Sequence, residues 1–409
     1  MVVEKSNKRV DECLESEELR TKEEAFTRQR SLGAKRILHM LLHRIFMALQ
    51  LQIDNYFAKI VENPVSKQAL SKARKLINPE FVRKFFDDTC EIAAEDNTMP
   101  KYKDMRLIAI DGSDIALENT QELKDAFGCS GPNKSAATAL CSIAYGPLDH
   151  VIYDCHLERY DMDERDLAKM HVKRMIELGM AGSLLLLDRW YPSAEFIGYL
   201  YENGFPFVMR VRKKWNLEAD LKKTQGWISI TNEGKQYPVR VLKVILPTGE
   251  TETLLTSLHQ EQLPIRKAGE LYFERWKIET AYDLIKSKLQ LENFSGKTKV
   301  SVQQDFYATM YLANMAAFAA EEADERISDA DQEKNLKYPR QASRNRTIAK
   351  LREALLCLMI EPDSALREAM LENLIASIAR YPVSIVPNRS PARKTPRKKR
   401  FYMAKKPVV

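Results

Sequence analysis

Two short apolar runs, Leu107 to Ile110 and Leu184 to Leu187, each end abruptly on an aspartate, Asp111 and Asp188. Four apolar residues in a row, bounded by polar ones, fit a strand buried on both faces, the kind from which parallel sheets are built. Around them, Ala136 to Tyr145 and Val151 to Leu157 read as two strands joined by a turn at Gly146-Pro147. Arg165 to Leu178 reads as a helix stopped by Gly179, Pro192 to Tyr201 as a second helix ahead of Gly204, and Phe207 to Val211 as a further strand. The order β-β-β-α-β-α-β predicts an α/β fold, a mixed sheet with helices on its faces.

From Lys213 to about Leu263 the periodicity changes to two. WISI, YPVRVLKVIL and ETLLTSL, separated by Asn232-Glu233-Gly234 and Pro247-Thr248-Gly249, predict a small all-β insertion. It is followed by LYFERWKIETAYDLIKSKLQLENF, residues 271 to 294. There Tyr272, Arg275, Glu279, Tyr282 and Lys286 recur at steps of three and four and share one stripe of a helix. Leu271, Phe273, Ile278, Ala281, Leu284, Ile285 and Leu289 form an apolar surface on its other side. The expected helix buries that surface and presents an acid between two bases and two phenols. Its simplest meaning is a solvated face with an Arg275–Glu279 ion pair worth a few tenths of a kcal/mol.

The net charge of +7 over 409 residues is uneven. Arg389 to Lys406 holds nine Lys/Arg and no acid, so the rest of the chain is close to neutral. That proline-containing tail reads as disordered and attractive to polyanions, with DNA or RNA the natural partner and a mere solubilising end the alternative. The longest apolar-rich run, Ala308 to Ala320, is too short to span a bilayer, and Met1 to Arg30 has no apolar core of the kind a secretory signal needs. Six cysteines without a C-x-x-C pair fit reduced thiols, and a cytoplasmic location is expected.

Near the amino terminus, Ala34 to Phe57 shows helical spacing of apolar residues. His39 and His43 lie on it with Met40 where a zinc-protease helix needs a glutamate, so both read as ordinary helix residues. Ser66 caps a helix whose Lys67, Lys72, Arg74 and Lys75 surround a core of Ala69, Leu70, Ala73 and Leu76. A second helix follows Asn78-Pro79. Such a basic pair suits either contact with DNA phosphates or a place in a solvated bundle.

Asp111 and Asp188 stand where buried strands emerge, the usual position for ligands in open α/β sheets. An aspartate there also serves to start a turn or cap a helix. Together with Glu279 they offer three carboxylates able to hold a pair of hard divalent ions through oxygen. Two such ions about 3.5–4 Å apart activate the attacking oxygen and stabilise the leaving oxygen in phosphoryl transfer, while Arg275 and Lys286 would hold phosphate.

These residues resemble the Y-(2)-R-(3)-E-(6)-K signature of bacterial DDE-class insertion-sequence transposases of the family named for insertion sequence four, here Tyr272, Arg275, Glu279 and Lys286. IAIDGSDI around Asp111 and LLLLDRWYPS around Asp188 resemble the family's two aspartate motifs, and SKQALSKARKLINPEF its amino-terminal region. The resemblance covers about residues 60 to 325. It implies an RNase H-like mixed sheet with a β-strand insertion, flanked by helical amino- and carboxyl-terminal regions. Residues 1–100 would form a helical DNA-binding region, 101–212 and 264–325 the two parts of the catalytic core, 213–263 the insertion, 326–387 a helical region and 388–409 the basic tail.

The resemblance also implies cut-and-paste transposition by an enzyme that cleaves transposon ends and transfers them to target DNA. Asp111, Asp188 and Glu279 would be catalytic and bind Mg²⁺ or Mn²⁺, two ions in all. Tyr272, Arg275 and Lys286 would contact the DNA near the cut, with Lys67, Lys72 and Arg74 as further contacts. The partners implied are double-stranded DNA and a second copy of the chain in a synaptic dimer, at the bacterial nucleoid. Some relatives stack a flipped base on an insertion-domain Trp close before the Glu. Here Trp215 and Trp227 lie further upstream, and Trp190 and Trp276 read as core aromatics. The alternatives are a transposase-derived DNA-binding regulator without catalysis and a structure-selective RNase H-like nuclease.

Overall fold

The computed structural model describes residues 2–27, 31–43, 48–212, 225–245, 249–332 and 334–386. Trp215 and the basic tail lie outside them. The chain divides into two compact units. One comprises Cys90–Ile115 and Ala139–Leu284, the other Met1–Thr89, Ala116–Thr138 and Ile285–Val409.

The first unit is built on a mixed sheet. Its strands are β1 (Leu107–Ala116), β3 (Ala136–Tyr145), β4 (Ile152–Arg159), β5 (Leu184–Leu187), β6 (Phe207–Arg210), β7 (Gln225–Asn232), β8 (Lys235–Ile245) and β9 (Thr251–Thr256), while the two-residue β2 (Cys129–Ser130) pairs with the first residues of β3. Across the sheet the order is β4-β3-β1-β5-β6-β9-β8-β7. β5 lies parallel to both β1 and β6, and β4 antiparallel to β3. The first five strands have the RNase H-like arrangement, with the earliest in the middle.

Every residue of Leu107–Ile110 and Leu184–Leu187 is buried, as expected of central strands covered on both faces. Helix Glu164–Glu177 covers the sheet with Leu167, Ala168, His171, Val172 and Met175, which recur at helical spacing. Asp163 caps its start and Gly179, at φ +70°, ends it in a conformation that favours glycine. Helix Ala194–Glu202 is capped by Ser193, whose Oγ accepts from the Phe196 N–H at 3.1 Å.

The period-two segment forms β7, β8 and β9, and β9 pairs antiparallel with β6. The insertion therefore extends the main sheet instead of standing as a separate one. Glu233 and Gly234, both at positive φ, close the β7–β8 hairpin as the primed turns of two-residue loops require. β8 in turn supports helix Ile265–Phe273. A Cβ at Gly269 would lie 2.8 Å from the Ile245 carbonyl oxygen, so only glycine permits this approach.

The other unit is mainly helical. Its longest element, Lys299–Asp331, contains the apolar-rich run Ala308 to Ala320 and begins with a capping box between Thr298 and Ser301. Helices Ala34–Leu42, Arg344–Ile360 and Ser364–Ala379 pack on it. The expected helix over 34–57 stops at His43, which leaves the helical region, and another runs over Leu49–Lys59. Burial holds His39 and His43 down near a pKa of about 4, as uncharged members of this packing. Among the described residues no helix is long and apolar enough to cross a membrane.

Candidate active site

The parallel pairing of β1 and β5 sets Ile110 opposite Leu187, so the next residues, Asp111 and Asp188, emerge side by side from adjacent strands. The helical run that follows the insertion lies against these strand ends. It is not the single α-helix that its periodicity predicts. Ile265–Phe273 passes through a 3₁₀ turn at Glu274–Trp276 into Lys277–Asp283, and then into a π-helical turn at Leu284–Lys288. Such irregular turns are frequent at functional sites.

The polar stripe is also not solvated. Tyr272, Arg275 and Tyr282 are all buried, and of the stripe residues in this unit only Glu279 is exposed. Each tyrosine reaches a main-chain carbonyl of an aspartate-bearing strand. The Tyr272 hydroxyl donates to Leu187 O at 3.4 Å, and the Tyr282 hydroxyl lies 2.8 Å from Asp111 O and 3.0 Å from Cys141 O. Between them, Arg275, 4% exposed, sets Nη1 3.4 Å from Asp111 Oδ2 and Nη2 3.6 Å from Glu279 Oε1. One buried guanidinium thus links the first aspartate to the glutamate. Burial opposes its charge, but Tyr272, Asp188, Asp111 and Glu279 outweigh that and raise its pKa.

Asp111 is pushed up to about 7, first by burial; Arg275 opposes the shift, and the negative charges of Asp188 and Glu164 add to it. Asp188 keeps a buried Oδ1 with no hydrogen-bond partner. An orphaned carboxylate oxygen beside mutually repelling acids is the donor set that a hard divalent cation satisfies, and these residues fit one. Glu164, which no sequence motif marked, belongs to the same group of acids.

Behind β1 lies a second polar group. Asp154 Oδ2 is 2.8 Å from both His156 Nε2 and His171 Nδ1, and His171 Nε2 is 2.9 Å from Ser142 Oγ, which in turn lies 3.4 Å from Asp111 O. Among the described residues these three are the one group of His, Cys, Asp and Glu whose candidate ligand atoms fall within 4.8 Å of one another. Both His171 nitrogens are already engaged, so the group is a hydrogen-bonded prop under the strand.

Trp190 is not a core aromatic. It is 57% exposed beside Asp188, with the Arg212 guanidinium 3.2 Å from its ring centroid. It lines a cleft of about 470 Å³ with Glu164, Arg165, Arg189 and Arg212. Trp276 is half-buried and packs on Phe273 at 5.3 Å between centroids.

The remaining basic residues lie in the other unit. Lys286 sits on the π-helical turn, and Lys67 and Lys72 are exposed. Arg74 is 3% exposed, and its guanidinium donates to Gln304 Oε1 at 2.8 Å, Asp305 Oδ1 at 2.8 Å, Ser301 O at 3.2 Å and Ser295 Oγ. It is an interior ion pair and offers nothing to a DNA surface.

The raised Asp111 pKa carries a prediction for the metal-free protein. In the unfolded chain this carboxyl ionises near its ordinary value of 3.8, in the folded chain at about 7. Between those values the unfolded state binds fewer protons, so the Asp111 contribution to stability is full below pH 4 and is lost as pH rises through 7. Urea melts in EDTA should show a loss on the order of 2 kcal/mol from this group, allowing for partial solvent access. Asp111→Asn should flatten that part of the pH profile.

The family described as "Transposase DDE domain" matches residues 102–315, just over half of the chain and a span containing Asp111, Asp188 and Glu279. No curated protein matches the chain in sequence. Among solved structures, the cryo-EM structure of the piggyBac transposase synaptic complex with hairpin DNA is similar at a TM-score of 0.47 and 12% identity, over 91% of this chain and 81% of that one. By the family match, the chain belongs to the DDE-domain transposases, enzymes that cleave DNA and transfer its strands with the help of divalent metal ions.

Proposed function

We propose that this transposase works by cut and paste as a member of the family named for insertion sequence four, with Asp111, Asp188 and Glu279 as its catalytic acids. The observation that carries the reading is the side-by-side emergence of Asp111 and Asp188 from paired parallel strands, with Arg275 joining Asp111 to Glu279. Asp111, Asp188 and Glu279 would hold two Mg²⁺ or Mn²⁺ ions, which supply activation of the attacking oxygen and stabilisation of the leaving one. Tyr272 and Tyr282 fix the helix to the two strands and so set where Glu279 stands. Arg275 orients Asp111 and Glu279. Lys286, Lys67 and Lys72 contact the phosphate backbone of double-stranded DNA, positioning it without reading sequence. Two copies of the chain pair two transposon ends, at the bacterial nucleoid.

The test is strand cleavage. Purified protein is mixed with a duplex carrying the inverted repeats that flank its gene, in Mg²⁺ or in Ca²⁺. Nicking at the repeat boundary in Mg²⁺, followed by joining of the freed 3′ end to a second duplex, is the expected result. Tight binding with no nick in either Mg²⁺ or Mn²⁺ would replace this reading with that of a regulator.

A further inference from the structure

Trp190 is a large apolar side chain that the core leaves out. It is 57% exposed, although burial of an indole favours folding. The turn that carries it is fixed before and after. β5 ends at Leu187, the Tyr191 N–H donates to Asp188 O at 3.2 Å, the Tyr191 ring is fully buried, and Ser193 caps helix Ala194–Glu202. The indole is thus held at the surface by a turn that is itself anchored in the core.

Its surroundings are basic. The Arg212 guanidinium, 3.2 Å from the indole centroid, covers one face, and the exposure falls on what Arg212 leaves uncovered. Along the cleft of about 470 Å³, Arg165, Arg189 and Arg212 stand against Asp163 and Glu164, a net charge of +1. Arg165 is engaged with Asp163 at 2.8 Å, whereas Arg189 and Arg212 are exposed and form no ion pair among the described residues. An open aromatic face with guanidinium groups beside it suits a nucleotide, because the base stacks on the ring and the phosphate meets the cation. Bases inside a duplex are already stacked on both faces, so the fitting occupant is unpaired. The cleft volume is that of a single small-molecule site, roughly 300–1,000 Å³, and takes one nucleotide, not a double helix.

We propose that Trp190 is the stacking platform for one unpaired nucleobase of the DNA beside the cut, with Arg212 bracing the indole and Arg189 taking the adjoining phosphate. The proposal rests on the reading of Asp188 as a catalytic acid. Trp190 follows Asp188 by two residues, which limits their Cα separation to about 7.6 Å. Bases along one strand repeat at about 3.4 Å, so a base on Trp190 belongs within a few nucleotides of a phosphate held at Asp188. Opening a duplex there loses base stacking, and an aromatic seat for the freed base returns part of what is lost.

Binding in Ca²⁺ to duplexes carrying the flanking inverted repeat tests this. One duplex is blunt at the cut end, and two others end there in three unpaired thymidines, on the 3′ strand or on the 5′ strand. Wild type is expected to hold one of the tailed duplexes about ten- to a hundredfold more tightly than the blunt one. Trp190→Ala should abolish that advantage and Trp190→Phe should keep part of it. Abasic sites in place of the thymidines should abolish it in wild type, a readout that needs no variant to fold. An advantage that survives Trp190→Ala, or that an abasic tail gives in full, would overturn the proposal, since charge alone would then hold the strand. So would a wild type that shows no advantage for either tail. Nicking in Mg²⁺ is read separately. A protein that favours a tail through Trp190 but cuts nothing keeps the stacking site and loses the catalytic reading of Asp188; one that cuts without the preference does the reverse.

Discussion

Asp188→Asn should lower strand cleavage at the transposon end by a thousandfold or more while leaving binding of the same duplex within a few-fold of wild type. The amide has nearly the volume of the carboxylate, so packing at the end of β5 is kept. What is lost is the charge on a side chain whose Oδ1 has no protein partner to compensate for. A charge that acts only through a bound cation stabilises the transition state far more than the ground state, so the loss falls on the cleavage rate. Gel-based nicking in Mg²⁺, with binding followed by mobility shift in Ca²⁺, separates the two quantities. Parallel loss of binding and cleavage would mean that Asp188 holds the fold or the DNA and that its assigned role is wrong.

The largest effect on stability is expected at Arg74→Met. This substitution leaves the Asp305 carboxylate, 2% exposed, without the guanidinium that lies 2.8 Å from it. Breaking one side of a buried ion pair costs about 3–5 kcal/mol. The N–H and hydroxyl of Ser295, which also bond Asp305, are neutral and do not replace the charge. Urea denaturation should show the loss in the midpoint, and Asp305→Asn combined with Arg74→Met should recover part of it. Lys72→Met, by contrast, alters an exposed side chain of the preceding helix and should change stability by less than about 0.5 kcal/mol.

The contrast between Arg74 and Lys72 shows where reading the chain as a sequence stops. Both are basic residues on one short stretch, and periodicity places both beside an apolar core. The α-helix ends at Ala73, however, and a 3₁₀ turn over Arg74–Leu76 turns the arginine inward. A change of helix type within two residues has no compositional signal. The same limit applies to Tyr272, Arg275 and Tyr282. Spacing establishes that they share a stripe, and they do face the aspartate-bearing strands together. Spacing does not tell whether that stripe meets solvent or a sheet, and here Tyr272, Arg275 and Tyr282 are buried while Glu279 is exposed.

Asp111 and Asp188 were legible because an acid after four buried residues is costly unless it has work to do, and the structure pairs their strands directly. Period-two alternation marked β7 to β9 as strands, but strand propensity carries no information about the partner, so their attachment to β6 through β9 had to be seen. Glu164 was silent in sequence for a related reason. An acid in the first turn of a helix is ordinary, favoured by the helix dipole wherever it occurs. Only the tertiary placement over Gly112 distinguishes it.

Arg275 has a consequence for how the enzyme comes to be loaded. Its guanidinium lies between Asp111 and Glu279 as a built-in counter-ion, so these two carboxylates have a cation of the chain's own beside them. Structural zinc domains gain their fold from the ion, and stripping the ion unfolds them. With Asp111 and Glu279 as the proposed metal ligands, a divalent ion would compete with this side chain for carboxylates that are already in place. Such an exchange favours ions of high charge density over monovalent ones, and it makes occupancy reversible at constant fold. A chain of this design can fold before any divalent ion reaches it.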